Sequence, residues 1–278
     1  MRIAVASSYG LAGREVERAF AEGVRAFFWG ALRHRDFGVA LRRLARRDRA
    51  KLTIATVSYA SSPLALRTSI AFARRALAVD ALDLVVLGYA KAPIDPRLID
   101  AALALRERGV AKSIGVSSHD RALLASLGGA GWPDALMARY SAAHRGAASE
   151  VFPFAIDKRV LAYTATRWGT LLDPSRVPAG ERAPTAAECY RFVLSCARVD
   201  LCLAGPRDGG ELDAALAAGR AGPLTADELA WMTRIGDAVR ASARDPAPRR
   251  DFVRRAAGAL RSLVTRGVTE DVISRFNR

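Results

Sequence analysis

The feature that most constrains this chain is a regular alternation of short apolar runs with amphipathic stretches, repeated eight times before residue 223. The short runs are rich in Val, Ile, Leu and Phe, and the stretches between them space their apolar residues as helices do. Eight strands joined by helices predict the α/β class and a single parallel (β/α)8 TIM barrel over residues 1–223. The predicted strands are Arg2–Ala6, Ala26–Trp29, Leu52–Thr56, Leu82–Leu87, Ser113–Val116, Ala135–Arg139, Val160–Tyr163 and Leu201–Ala204.

The helices between these strands carry start and stop signals, of which the capping-box sequence of Thr185 and Glu188 is the clearest. The predicted helices are Gly13–Ala21, Phe37–Arg47, Pro63–Ala78, Pro96–Arg108, Asp120–Leu127, Ala148–Phe154, Ala186–Cys196 and Gly210–Ala218. Residues 224–278 are predicted to form a C-terminal helical extension packed on the barrel. It contains a helix over Thr225–Ser242 and a basic segment with an apolar helical face over residues 252–264.

Composition argues against a membrane-spanning or secreted protein. No run of about 18 apolar residues occurs, so no transmembrane helix is predicted, and the N-terminal residues lack the apolar core and cleavage site of a signal peptide. Cys189, Cys196 and Cys202 are an odd set without metal-ligand spacing, which is typical of buried thiols in a reducing compartment. We therefore expect a cytoplasmic protein that does not bind membranes.

The formal net charge of +15 raises the question of a nucleic-acid partner. The basic residues are spread over every predicted helix, and the sequence has no helix-turn-helix, RNA-recognition or finger pattern. We therefore expect a solvated basic surface and no specific nucleic-acid binding. Such a surface enriches anionic ligands near the protein.

Ligands of (β/α)8 barrels bind at the carboxyl ends of the strands, here called the mouth. The residues predicted to lie there are aromatic, hydroxylic and cationic, with almost no carboxylate, which favours a flat or anionic small ligand. The candidate ligand-binding residues are Trp29, Tyr59, Arg139, Arg167 and Trp168.

All three histidines of the chain, His34, His119 and His144, fall in predicted loops at the mouth. No metal site is predicted, because the sequence has neither an HxH nor an HExxH spacing. Tyr9 follows the first strand and is a candidate proton donor; His34 and His119 are candidate acid–base residues.

Five segments occur in the order and spacing of one known barrel family. They are Leu82–Leu87, Glu107–Ser118, Arg139–Arg145, Leu161–Leu171 and Ala204–Arg207. Over most of the chain, from Ser7 to Pro223, the sequence resembles the aldo-keto reductases. The resemblance implies a (β/α)8 barrel and an NADP-dependent oxidoreductase.

The resemblance also locates four positions where the family carries an Asp, Tyr, Lys and His for carbonyl reduction. The tyrosine donates the proton, and the Lys–Asp pair makes it acidic enough near pH 7. Phe28, Arg33, Val57 and Gly88 stand at these positions here. The resemblance therefore implies the scaffold of a reductase without its standard mechanism.

The cofactor positions implied by the resemblance match the family only in part, since Met137 replaces a Gln and Glu211 and Ala215 replace an Arg or Gln and an Asn. Ser117 and Ser118 match the segment that holds the carboxamide of the nicotinamide, and Tyr163 matches the aromatic residue that stacks on it. Gly205 and Arg207 match the start of the phosphate-binding turn, and NADP is the cofactor that these matches favour.

Three functional hypotheses follow from these observations. The first is a divergent NADPH-binding oxidoreductase with a non-standard mechanism. The second is a non-redox enzyme, such as a lyase or isomerase, and the third is a catalytically silent protein that binds an anionic or aromatic small ligand. Fold-level analogy does not choose among them, and the sequence predicts no oligomeric state.

Overall fold

The computed structural model describes residues 1–30 and 34–242 of the chain. Its eight parallel strands hydrogen-bond in sequence order, and β1 pairs with β8 to close the barrel, which confirms the predicted fold class. The strands are β1 (Ile3–Ala6), β2 (Ala26–Trp29), β3 (Thr53–Ser58), β4 (Leu84–Ala90), β5 (Ile114–Ser118), β6 (Ala135–Arg139), β7 (Arg159–Tyr163) and β8 (Leu201–Ala204).

Each strand is followed by a helix on the outside of the barrel. The helices are α1 (Gly13–Ala21), α2 (Arg35–Asp48), α3 (Pro63–Leu77), α4 (Pro96–Glu107), α5 (Arg121–Gly128), α6 (Ala147–Glu150), α7 (Ala186–Ser195), α8 (Gly209–Ala221) and, beyond the barrel, α9 (Ala226–Ser242). Both halves of the predicted capping box form at the start of α7. The helix predicted near Ala148–Phe154, with an interruption at Pro153, is the single turn α6 followed by a 3₁₀ turn, because Pro153 provides no backbone N–H for a continuing helix.

Two strands run further toward the mouth than predicted. β3 continues past Thr56 to Ser58, and β4 continues past Leu87 to Ala90. A β-bulge in β4 lies between Leu87 and Ala90, where the pairing with β5 shifts by one residue. The strand ends therefore reach deeper into the mouth on this side of the barrel.

Two apolar cores follow from strand alternation. Inward-facing residues fill the barrel itself with small side chains around a few large ones, including Ala4, Ala6, Phe28 and Leu161. Outward-facing residues pack against the helices in a larger cluster that includes Trp29 and Phe37. The barrel interior is consequently a packed core, and ligand chemistry is confined to its ends.

The amino-terminal end of the barrel carries a repeated carboxylate motif. Asp83, Asp134 and Asp200 each stand just before an even-numbered strand and accept the backbone N–H of a residue at the start of the preceding strand, at 2.6–2.8 Å. Arginines pair with these carboxylates, as Arg106 does with Asp134 at 2.9 Å. Carboxylates thus tie the strand starts together at the end opposite to the mouth.

α9 packs against the barrel on the side of β6 and β7. Arg145 donates to Asp237 at 2.8 Å, and Arg167 donates to the carbonyl of Val239 at 2.9 Å. The second predicted segment of the extension, residues 243–278, lies outside the described residues.

Two further predictions concern membrane-spanning helices and the burial of the cysteines. No helix within residues 1–30 and 34–242 is long and apolar enough to cross a membrane. Cys189 and Cys202 are buried as predicted, and their burial raises the pKa of each thiol. Cys196 is only half-buried.

Candidate functional site

The carboxyl ends of β4 to β7 bring a compact group of side chains together at the mouth. Its members, here called the mouth cluster, are Tyr89, His119, Arg139, His144, Tyr163 and Trp168. They belong to four successive strand ends and their loops, which parallel pairing places side by side. None of the six carries a carboxylate.

His119 lies between two tyrosines. Its Nδ1 is hydrogen-bonded to the Tyr89 hydroxyl, and the two rings meet edge to face with centroids 4.4 Å apart. On another side its ring stacks on Tyr163 at 5.8 Å, with an angle of 25° between the planes. The Tyr163 hydroxyl donates to the carbonyl of Ser118 at 3.4 Å. The plane of the imidazole is therefore held by contacts on two sides.

Arg139 is the cation of the mouth cluster. Its guanidinium lies 4.7 Å from the centroid of the Trp168 ring, and its Nη2 donates to Nε2 of His144 at 2.8 Å. Trp168 also lies 6.5 Å from His119, centroid to centroid, which joins the two halves of the mouth cluster. A guanidinium on an aromatic face is the arrangement that recognises anionic or flat ligands.

The phenols of the mouth cluster stay protonated at neutral pH. Burial raises the pKa of Tyr89, and the neighbouring Arg139 partly opposes that rise. Burial also raises the pKa of Tyr163, although its hydrogen bond with Ser117 acts in the opposite direction. Both hydroxyls are thus hydrogen-bond donors at ordinary pH.

The positions matched to the reductase tetrad contain apolar packing in the described residues. Phe28 lies within the barrel core and is 8% exposed. Gly88 faces Val57 and Tyr59 so closely that a Cβ on it would lie 2.3 Å from Cγ2 of Val57 and 3.2 Å from Cε1 of Tyr59. Arg33 lies outside the described residues.

The predicted nicotinamide residues contact one another and the cluster. Ser117 is buried and hydrogen-bonds with Tyr163, whose ring is the one that stacks on His119. The Ser118 hydroxyl donates to the carbonyl of Ala90 at 2.6 Å and accepts the N–H of Asp120 at 2.9 Å. The Ser118 hydroxyl therefore links β5 to β4 and to the start of α5.

The turn matched to the phosphate site has its donors engaged by the chain itself. The backbone N–H and Nε of Arg207 donate to the Glu211 carboxylate at 2.8 and 2.7 Å, and Asp208 accepts the N–H of Glu211 at 2.9 Å. A phosphate bound at this turn would place its negative charge beside the carboxylates of Asp208 and Glu211. This arrangement does not fit a phosphate, so NADP binding stays a prediction.

Tyr9 and His34 lie apart from the mouth cluster, next to β1 and β8. Tyr9 is 52% exposed, and its ring lies beside Gly205, where an added Cβ would be 3.1 Å from Cδ2 of Tyr9. His34 is exposed and lies over Gly10, whose added Cβ would be 2.9 Å from Nδ1 of His34. Of the predicted acid–base residues, only His119 belongs to the mouth cluster.

Two predicted ligand-binding residues, Trp29 and Arg167, have buried side chains. Trp29 is fully buried on the outer face of β2, where its ring packs against Gly38 of α2. Arg167 is 1% exposed and holds α9 through Val239. Alternation along β2 points Trp29 outward, and α9 packs over Arg167, whose guanidinium donates to the carbonyl of Val239.

Tyr59 lies beside Gly88 and near Tyr163, at the edge of the mouth cluster. The contact between Tyr89 and His119 was not predicted from the sequence. Strand alternation after Leu87 would turn Tyr89 away from the mouth, but the pairing of β4 with β5 shifts by one residue between Leu87 and Ala90, where Tyr89 lies. The run without a charged residue from Leu84 to Ala90 is the signal that would have extended the strand.

No family model matches the sequence, and no curated protein matches it. The structure resembles that of aldo-keto reductase AKR11C1 from Bacillus halodurans in its holo form, with a TM-score of 0.69 and 17% identity. That match covers 90% of this chain and 94% of the reductase. The apo form of the same reductase matches with a TM-score of 0.64 and 16% identity, over 86% and 88% of the two chains. The fold implied by the sequence resemblance is thus confirmed: this chain is a (β/α)8 barrel whose fold is similar to that of this aldo-keto reductase.

Proposed function

We propose that this protein binds a small ligand that is both aromatic and anionic, such as an aromatic carboxylate, at the mouth cluster. The observation that carries the proposal is the position of Arg139, whose guanidinium lies 4.7 Å from the Trp168 ring centroid beside the tyrosine–histidine stack. A carboxylate pairs with the guanidinium and an aromatic ring packs on the exposed side chains.

The distribution of charge supports this choice. The Asp83, Asp134 and Asp200 carboxylates lie at the amino-terminal end of the barrel, whereas the mouth cluster holds Arg139 and two imidazoles. An anion at the mouth is therefore separated from these three carboxylates by the length of the strands.

Calorimetric titration with benzoate and phenylacetate tests the proposal. We expect both to bind and to raise the melting temperature by mass action. Arg139→Met should weaken benzoate binding about tenfold or more, because it removes a charged hydrogen-bond donor. Arg159→Met is the matched control, since Arg159 lies at the start of β7 and donates to Ser113 there. Equal benzoate affinity in the two variants would contradict the proposal.

Binding of NADPH is the second candidate, and the position of Tyr163 at the end of β7 favours it. The engagement of Arg207 by Glu211 opposes it. NADPH, NADP and NADH should be titrated beside the aromatic acids. Stabilisation by NADPH that exceeds stabilisation by every aromatic acid would replace the first proposal with the second.

A further inference from the structure

The contact between Tyr89 and His119 determines which imidazole nitrogen carries hydrogen. A neutral imidazole has one N–H donor and one acceptor nitrogen, and a phenol can donate or accept. The hydrogen bond joins the Tyr89 hydroxyl to Nδ1 of His119. Two arrangements satisfy this pair: either the phenol donates to Nδ1 and Nε2 carries the hydrogen, or Nδ1 donates to the phenol.

The surroundings of Tyr89 distinguish these arrangements. Within residues 1–30 and 34–242, the Tyr89 hydroxyl is hydrogen-bonded to Nδ1 of His119, and the Tyr89 side chain is half-buried. If Nδ1 donated, the phenol hydrogen would face this half-buried space without an acceptor from the described chain, which is costly. Donation from Tyr89 to Nδ1 gives the phenol hydrogen its acceptor and avoids that cost.

We propose that Tyr89 is a positioning residue that holds His119 in its Nε2–H tautomer, so that His119 and Arg139 together select ligands with a carboxylate or carbonyl oxygen beside an aromatic ring. The selectivity part of this inference rests on the proposed function, whereas the tautomer belongs to the unliganded protein. Stacking on Tyr163 at 5.8 Å fixes the plane in which Nε2 donates.

Long-range ¹H–¹⁵N correlation spectra of histidine-labelled, ligand-free protein at pH 8 test the tautomer directly. The chain has three histidines, so a His119→Gln variant assigns the His119 signals by their loss. We expect Nε2 of His119 to be protonated and Nδ1 to be unprotonated. Tyr89→Phe should shift His119 toward a mixture of tautomers, whereas Tyr190→Phe should leave its signals unchanged, because Tyr190 is buried in α7. A protonated Nδ1 in the wild type, or no change in Tyr89→Phe, would overturn the positioning role.

Benzoate titration tests the selectivity. His119→Phe keeps a ring for stacking but removes the donor, so it should weaken benzoate binding about tenfold, which is the effect of losing a hydrogen bond to a charged group. Tyr89→Phe should weaken it less, and Tyr190→Phe, in α7, should change it by less than about twofold. Unchanged affinity in His119→Phe would refute the donor role. Failure of wild-type protein to bind benzoate would refute the selectivity and the proposed function together, while the spectra would still decide the tautomer.

Discussion

At the scale of single residues, Gly88 matters to the mouth because it has no side chain. Gly88 lies in the strand where the reductase resemblance implies a histidine, and Val57 and Tyr59 close over it. The space for a larger group is therefore already filled. The residue type was readable from the sequence, but the two neighbours that fill the space were not, because Val57 belongs to β3 and Tyr59 follows it.

Gly88→Ala tests this packing. Its Cβ would lie 2.3 Å from Cγ2 of Val57, so we expect a loss of about 1–3 kcal/mol in the free energy of unfolding from overpacking. Val57→Ala in the same chain should recover part of that loss. Urea unfolding measures all variants, with Gly129→Ala as the control, because no atom lies within 4 Å of its added Cβ. Additive effects of the Gly88 and Val57 changes would refute the contact.

The tyrosines give a second prediction at this scale. Burial raises the pKa of four of the six tyrosines above the usual value; they are Tyr89, Tyr140, Tyr163 and Tyr190. Near-ultraviolet titration of the folded protein should therefore show these phenolates only above about pH 10, where the urea-unfolded chain ionises all six.

The sign of the linked stability follows from these shifts. Because the folded state holds the phenol protons more tightly, the stabilisation is complete below the unfolded pKa of about 10 and is lost as the pH rises through the folded values. The free energy of unfolding should accordingly fall above pH 10. Simultaneous ionisation of all six tyrosines near pH 10 in the folded state would contradict both statements.

At the scale of elements, local signals predicted helix starts better than strand ends. The Thr185–Glu188 capping box formed as predicted, because its hydrogen bonds join residues three apart in one turn. The ends of β3 and β4 were wrong by two and three residues, since a strand continues only as far as its neighbour pairs with it. The bulge in β4 near Tyr89 likewise depends on pairing with a neighbouring strand, here β5.

Glu188→Gln tests the start of α7. The Arg182 guanidinium, with help from Thr185, lowers the pKa of Glu188 to about 2. We expect the variant to lose about 0.5–1 kcal/mol at pH 7. The depressed folded pKa means that this difference is complete above the unfolded pKa of about 4.3 and disappears as the pH falls toward 2.

Urea unfolding between pH 7 and pH 3 measures this difference. Glu150→Gln is the control, because Glu150 pairs with Arg121 at 2.7 Å on the surface and belongs to no capping box. A Glu188→Gln deficit that did not shrink on acidification would exclude the charge as its cause.

At the scale of the whole molecule, the close approach of α9 to the barrel depends on a glycine. A Cβ on Gly236 would lie 2.3 Å from the carbonyl oxygen of Ala142, and that backbone cannot move without disturbing the loop after β6. α9 in turn holds the buried Arg167, whose guanidinium donates to the carbonyl of Val239.

Gly236→Ala should therefore destabilise the protein by about 2 kcal/mol or more, although Ala is the better helix former by about 1 kcal/mol. Gly210→Ala, in the first turn of α8, is the control, because its added Cβ makes only an ordinary contact at 3.5 Å. Thermal unfolding compares the two variants. Equal melting temperatures would show that α9 does not pack against Ala142 as described.

The sequence by itself determined the order of eight strand–helix units, the closed barrel that follows from them, and the aromatic and cationic character of the mouth. These properties are local or additive, since apolar periodicity decides each element and the carboxyl ends of parallel strands always meet. Only the tertiary structure decided which side chains meet. Whether Trp29 faces a helix, whether Arg167 is covered by α9, and whether Tyr89 reaches His119 depend on strand alternation, a bulge and a distant helix. Such contacts join residues far apart in the chain, and no local pattern encodes their geometry.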